Sequence, residues 1–201
     1  MNWQLFGESF VTLFVIMDPL GTVPIFLGLT ASFSTTERSR AARQAVVVAF
    51  GVIVAFAVFG QRILDYLHIS LPALQAAGGL LLLLIALELL TGKSDEPTST
   101  VGVNVAMVPL GTPLLAGPGA IVATMVFVQQ AQDWGDRAAI ALGVVAVHVS
   151  LYLAMRFAGL VHRVLGDSGV LLVTRVAGLL LSAIAVQLVA DAVRTFVLEA
   201  A

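Results

Sequence analysis

Cysteine is missing from all 201 residues, and only 11% of them are charged, against about 25% in an ordinary soluble domain. Without thiols the chain has no disulfide, no iron–sulfur cluster and no thiolate zinc site. The three histidines, His68, His148 and His162, are scattered in sequence and signal no metal centre. A net charge of −2, spread over short separators, gives no basic patch for nucleic acid. No nucleotide-binding motif occurs, which excludes ATP-driven transport within this polypeptide and leaves no cofactor expected. The opening MNWQLFGESF lacks a basic region, and the first apolar stretch lacks a small-residue cleavage site. It therefore reads as a retained span rather than a signal peptide.

Apolar residues are what the chain has in excess: 59% are hydrophobic and the mean hydropathy is +1.03. A bilayer core about 30 Å thick needs about 20 such residues per helix. Segments at about 5–31, 41–60, 70–90, 101–130, 138–160 and 170–193 are each long enough, which predicts an all-α polytopic membrane protein of six spans joined by short polar turns. The separators hold the charge: Glu37 to Arg43, Arg62 and Asp65, Lys93 to Glu96, Asp133 to Arg137, and Arg163 to Asp167. Translocating basic residues is disfavoured. Placing the loops after spans one, three and five in the cytoplasm gathers Arg38, Arg40, Arg43, Lys93, Arg156, Arg163 and Arg175 there, and leaves Arg62, Arg137 and Arg194 outside. The expected location is the cell (inner or plasma) membrane, with both termini on the outer side.

Two segments are too long for one straight span. Ser9 to Thr36 contains Asp18 as its only charge before Glu37, and Val101 to Gln132 contains none. Each has proline and glycine in its middle: Asp18-Pro19-Leu20-Gly21-Thr22-Val23-Pro24 in the first, and Pro109-Leu110-Gly111-Thr112, then Gly117-Pro118-Gly119, in the second. Proline removes a helix donor and glycine lets the chain leave helical φ/ψ. Helices one and four are thus expected to be interrupted. Pro-Leu-Gly-Thr recurs 90 positions apart, Ala77-Gly78 is matched by Ala177-Gly178, and Ala86-Leu87-Glu88-Leu89 by Ala185-Val186-Gln187-Leu188. We read a duplication of about 90 to 100 residues, with a first three-helix repeat over 1–97 and a second over 98–201 in one membrane domain. An odd number of spans per half makes the second repeat inverted, a common transporter plan.

Backbone freed from its ladder cannot face lipid, so each break should be buried in protein or line a wet cavity. Behind it a half-helix begins with free N–H groups and the positive end of its dipole, which suits a carboxylate. Simple kinks for packing are the structural alternative. Asp18 is the one acidic group expected at depth, where it must face protein or water. It can hold a substrate ammonium, a coupling sodium or a proton, or cap the following half-helix. Thr22 and Thr112 offer hydroxyls, though a membrane threonine often bonds its own backbone. His148 is either a proton relay or a buried neutral ring. Arg156 and Glu88 snorkel from span ends, and the Gly78-Gly79 and Ala177-Gly178 pairs allow close helix packing.

With MDPLGTVPIF and NVAMVPLGTPLLAGPGAI in view, the chain resembles the MarC family of bacterial and archaeal inner-membrane proteins over essentially its full length. The resemblance implies transport of small neutral amino acids such as glycine and alanine, and a distant likeness to the lysine-exporter superfamily with its inverted three-plus-three plan. Family members carry Asn or Asp at the position of Asp18 and often Asn at that of Thr22. Combining both lines, the expected function is a secondary transporter of a small zwitterion, by alternating access at a midplane site made by Asp18, Pro19, Gly21, Thr22, Pro24, Pro109, Gly111, Thr112, Gly117, Pro118 and Gly119. Its partners would be the small-molecule substrate, the bilayer and a proton or sodium ion, with no catalytic and no metal-ligating residue. Rival readings are an ion channel or metal-ion transporter, a drug or metabolite efflux protein, an intramembrane enzyme, which lacks a second deep carboxylate, and a noncatalytic scaffold.

Overall fold

The computed structural model describes residues 2–31, 33–91 and 116–200. Over these the chain is entirely helical: α1 (Trp3–Met17), α2 (Thr22–Leu29), α3 (Thr35–Leu67), α4 (Leu71–Thr91), α5 (Pro118–Gln130), α6 (Trp134–Arg156) and α7 (Ala158–Ala200), the last broken at Gly166, whose φ is 62°. Four of these helices are long and apolar enough to cross a bilayer, and the bent pair α1–α2 brings the number to five among the described residues. It is an integral, multi-pass membrane protein by this count. At 13 residues, α5 is about 20 Å long, too short to cross alone, and the residues preceding it lie outside the described set.

Local sequence sets the helix starts. The Asn2 side chain accepts from the Leu5 N–H at 3.1 Å, and Ser34 and Glu37 form a reciprocal capping box at α3. Asp133 accepts from the Asp136 N–H at 2.8 Å at the start of α6. Charge proves a poor stop signal. Arg62 and Asp65, expected in a turn, lie inside α3, which continues to Leu67 and ends on His68 at φ 55°. Likewise Arg163 to Asp167 belong to α7 around its break. A charged side chain leaves the helical ladder intact and needs only an exposed position, which helix ends near the interface supply.

The main core joins α1, α2, α3, α5 and α6, and α3 contributes the small buried stripe Ala41, Ala42, Ala45 and Ala49. Without a hydrophobic force between helices in lipid, such small residues let backbones approach and gain dispersion contacts. The chain directions follow from contacts at the ends. Asn2 Nδ2 donates to Asp136 Oδ1 at 3.1 Å, and Ser9 faces Gly143 further along, so α1 and α6 run parallel. Gln129 donates to Gln61, which places the end of α5 beside the end of α3.

A second cluster, Leu82, Ala86, Leu181 and Ala185, joins α4 to α7. The two run antiparallel and cross on glycines with reciprocal surroundings. A Cβ at Gly79 would lie 2.8 Å from the Ala185 carbonyl, 3.3 Å from Leu188 Cβ and 2.7 Å from Val189 Cγ2. At Gly178 it would lie 3.3 Å from the Ala86 carbonyl, 3.1 Å from Leu89 Cβ and 3.3 Å from Leu90 Cγ. Every pair of corresponding residues is separated by the same 99 positions. The Gly79 side is tighter and its nearest backbone atom cannot rotate away. Gly79→Ala is therefore expected to cost about 1–3 kcal/mol as overpacking, and Gly178→Ala clearly less. Unfolding in mixed detergent micelles measures both; equal costs would mean that the approach at Gly79 does not set the crossing.

Candidate functional site

Helix α1 ends where the sequence places its break. Asp18 adopts a left-handed conformation at φ 38°, ψ 71°, and its N–H still bonds the Phe14 carbonyl. The chain then bends by 46° into α2. Two interactions hold the bend. Asp18 Oδ1 accepts from the Gly21 N–H at 3.0 Å. The Asp18 carbonyl accepts both from the Thr22 N–H at 3.0 Å and from the Thr22 hydroxyl at 2.9 Å. The carboxylate thus satisfies donors that the break would otherwise orphan, which is the capping role. Gly21 is required for it, because a Cβ there would fall on the carboxylate oxygens. Asp18 Oδ2 makes no hydrogen bond among the described residues.

Pro19 occupies the turn itself, and Pro24 sits in the first turn of α2, where a proline does not cost a ladder bond. Thr22 is 4% exposed; its hydroxyl is spent on the backbone, as expected for a membrane threonine.

Of the second break, Pro109, Gly111 and Thr112 lie outside the described residues. The remainder, Gly117-Pro118-Gly119, is a helix start: Gly117 precedes α5 in an extended conformation and Pro118 opens the helix. Its first internal bonds run from the Ala120 and Ile121 N–H groups to the Gly117 carbonyl at 3.0 and 3.2 Å. A Cβ on Gly119 would fall within the side chain of Leu82, so only glycine lets α5 begin this close to α4.

The two breaks share a neighbourhood. Met17 and Val23, which flank the first, pack in the same buried cluster as Ala116 and Ala120, which flank the second. They also share a depth. With 15 residues in α1 and 13 in α5, each break lies about 20 Å from the membrane face where Trp3 and Gln130 stand. From that level α2 and α5 depart in opposite directions. Thr22, Val23 and Ala120 are all buried.

His148 lies in the middle of α6, 3% exposed. Its Nδ1 donates to the Val144 carbonyl at 2.7 Å, and its ring meets Phe50 edge-on at 5.1 Å. Nε2 is buried and has no hydrogen-bond partner among the described residues. Ser182 is half-buried, and its hydroxyl donates to the Leu179 carbonyl at 2.7 Å. Among the described residues no three histidine or acidic side chains converge on a point that could hold a metal.

Residues 3–197 match the family described as MarC family integral membrane protein. A UPF0056 membrane protein of Methanocaldococcus jannaschii is 38% identical over 96% of this chain and 98% of its own length. The UPF0056 membrane protein YvbG of Bacillus subtilis is 31% identical over 94% of each chain. The UPF0056 inner membrane protein MarC of Escherichia coli is 31% identical over 95% of each. No solved structure matches the chain.

Proposed function

The chain belongs to the MarC family of integral membrane proteins, and from that premise we propose that it is a secondary transporter of small neutral amino acids, working by alternating access between two inverted three-helix repeats. The observation that carries this reading is the meeting of two helix breaks at one depth in one core. The N-termini of α2 and α5 would receive a substrate carboxylate, and Asp18 Oδ2 its ammonium. Beside Gly21 and Gly119 the space is already taken by the Asp18 carboxylate and the Leu82 side chain, which favours a small substrate. Discontinuous helices with N-termini directed at an anionic group are the transporter form of this chemistry.

Chain direction supports six spans. α4 runs antiparallel to α7, with Leu89 and Leu90 near its end lying beside Gly178 in the first half of α7, which follows the end of α6, whereas α6 starts at the opposite face beside Asn2. α4 therefore runs towards the face opposite Trp134, which is the direction a six-span reading requires. The reciprocal glycine crossing at a constant separation of 99 residues supports the inverted repeat, because a two-fold axis in the membrane plane produces such exchanged contacts. Arg40, Arg43 and Arg156 gather at one face, which we take as cytoplasmic, leaving both termini outside in the cell membrane.

Counterflow of labelled alanine and glycine into proteoliposomes tests the proposal. We expect saturable exchange driven by internal unlabelled substrate. No exchange of any small neutral amino acid by folded protein would defeat the substrate assignment, and flux that never saturates would point to a pore.

A further inference from the structure

Away from the breaks, α3 and α6 enclose two cavities of 460 and 370 Å³ that share Arg43 and Tyr152 and so form one groove. Its two parts differ sharply in chemistry. One is mainly apolar: Val46, Val47 and Phe50 of α3 face Val145 and Val149 of α6, and the His148 ring also lines it. The other is lined by the hydroxyl residues Thr35, Thr36 and Ser39 and by Arg40, Arg43 and Arg156. All three arginines are exposed, and no carboxylate lines either part.

Three guanidinium groups around one mouth repel each other unless an anion lies between them, and the planar fork of arginine matches phosphate oxygens two at a time. The apolar part continues from Arg43 to Phe50, about 10 Å along α3, away from the charged mouth and into the hydrocarbon depth. Val47 and Val149 are exposed along it, so the furrow is open sideways to the bilayer. A free phosphate would use the mouth and leave the furrow idle. A neutral lipid would use the furrow and leave three cations unmatched. Only an anionic amphiphile engages both, and basic pockets between transmembrane helices on the cytoplasmic side bind anionic headgroups.

We infer that the α3–α6 groove is a binding site for an anionic phospholipid, its phosphate held by Arg40, Arg43 and Arg156 and one acyl chain lying along Val47 and Phe50. The occupant enters laterally from the cytoplasmic leaflet. Nothing in this site overlaps the region of the two breaks.

The test is native mass spectrometry of the full chain released from a neutral detergent, titrated with dioleoylphosphatidylglycerol, dioleoylphosphatidylcholine or inorganic phosphate. The glycerol lipid is expected to bind at least about tenfold more tightly than the choline lipid, and the triple variant Arg40→Gln, Arg43→Gln, Arg156→Gln to lose that preference. Val47→Trp, which fills the furrow from an exposed position, should weaken the glycerol lipid by about tenfold or more without changing the response to phosphate. Arg62→Gln, at the far end of α3, should change neither. Equal affinity for the two lipids, or a preference that survives the triple change, would overturn the site. Inorganic phosphate binding as tightly as the lipid would replace it with a free-anion site. Should the triple variant fail to fold, the single changes at Arg40 and Arg156 decide by the same comparison.

Discussion

Alanine exchange through an Asp18→Ala variant is expected to fall by about a hundredfold or more, because alanine removes both the acceptor for the Gly21 N–H and the second carboxylate oxygen beside it. A lost cap alone costs about 0.5–2 kcal/mol. Here the orphaned donor lies at depth in the membrane, where an unsatisfied backbone group costs several kcal/mol, so the bend between α1 and α2 should relax as well. Asp18→Asn separates the two roles. The amide oxygen can still accept from Gly21 at the distance Oδ1 now keeps, while its NH₂ cannot pair with an ammonium. Exchange should persist with a KM raised by about tenfold, the loss expected for one charge-assisted hydrogen bond. Counterflow at several alanine concentrations distinguishes the outcomes. An Asn variant as inactive as the Ala variant would mean that the negative charge, and not the cap, is indispensable.

The second large effect is expected at Gly119. Its missing Cβ is the space that Leu82 fills, and Leu82 is itself buried. Gly119→Val should destabilise the protein by about 3 kcal/mol or more, at the upper end of overpacking penalties, and abolish exchange. The diagnostic measurement is the pair Gly119→Ala and Leu82→Ala, alone and combined. Leu82→Ala alone should cost about 2–5 kcal/mol as a cavity. If the two residues contend for one volume, the double variant should be more stable than the sum predicts, by about 1–3 kcal/mol. Additive costs would show that α5 does not owe its starting point to this contact.

The first break was legible to the residue, because proline, glycine and a lone acid within an apolar run have few structural outcomes. Family membership was legible from the same strings, and residues 3–197 bear it out. The glycine pairs were correctly read as packing positions, although the sequence alignment paired Gly78 with Gly178 and the contacts pair Gly79 with it. Arg62 and Asp65 read as a turn in the sequence because they carry charge, whereas α3 runs on through them to Leu67. The groove between α3 and α6 had no sequence signal at all. Arg43 and Arg156 are far apart in the chain, and only antiparallel packing makes them neighbours. Arg156 was read from sequence as a snorkelling side chain at a span end; it is exposed there, its guanidinium 5.8 Å from the Phe157 ring, and nothing in that reading disclosed a shared mouth.

The extent of α3 beyond its apolar stretch has a mechanical meaning. Its 33 residues make a rod of about 50 Å, yet the part between Arg43 and Arg62 is only about 28 Å, close to the thickness of a hydrocarbon core. The rod therefore carries its own gauge of the bilayer, with a guanidinium at each graduation and Tyr66, 82% exposed, standing outside it. In a thicker membrane the arginines would be drawn towards the oil and in a thinner one the rod would lean. Ala45 and Ala49, of the alanine stripe on which the core rests, lie on this same stretch of α3.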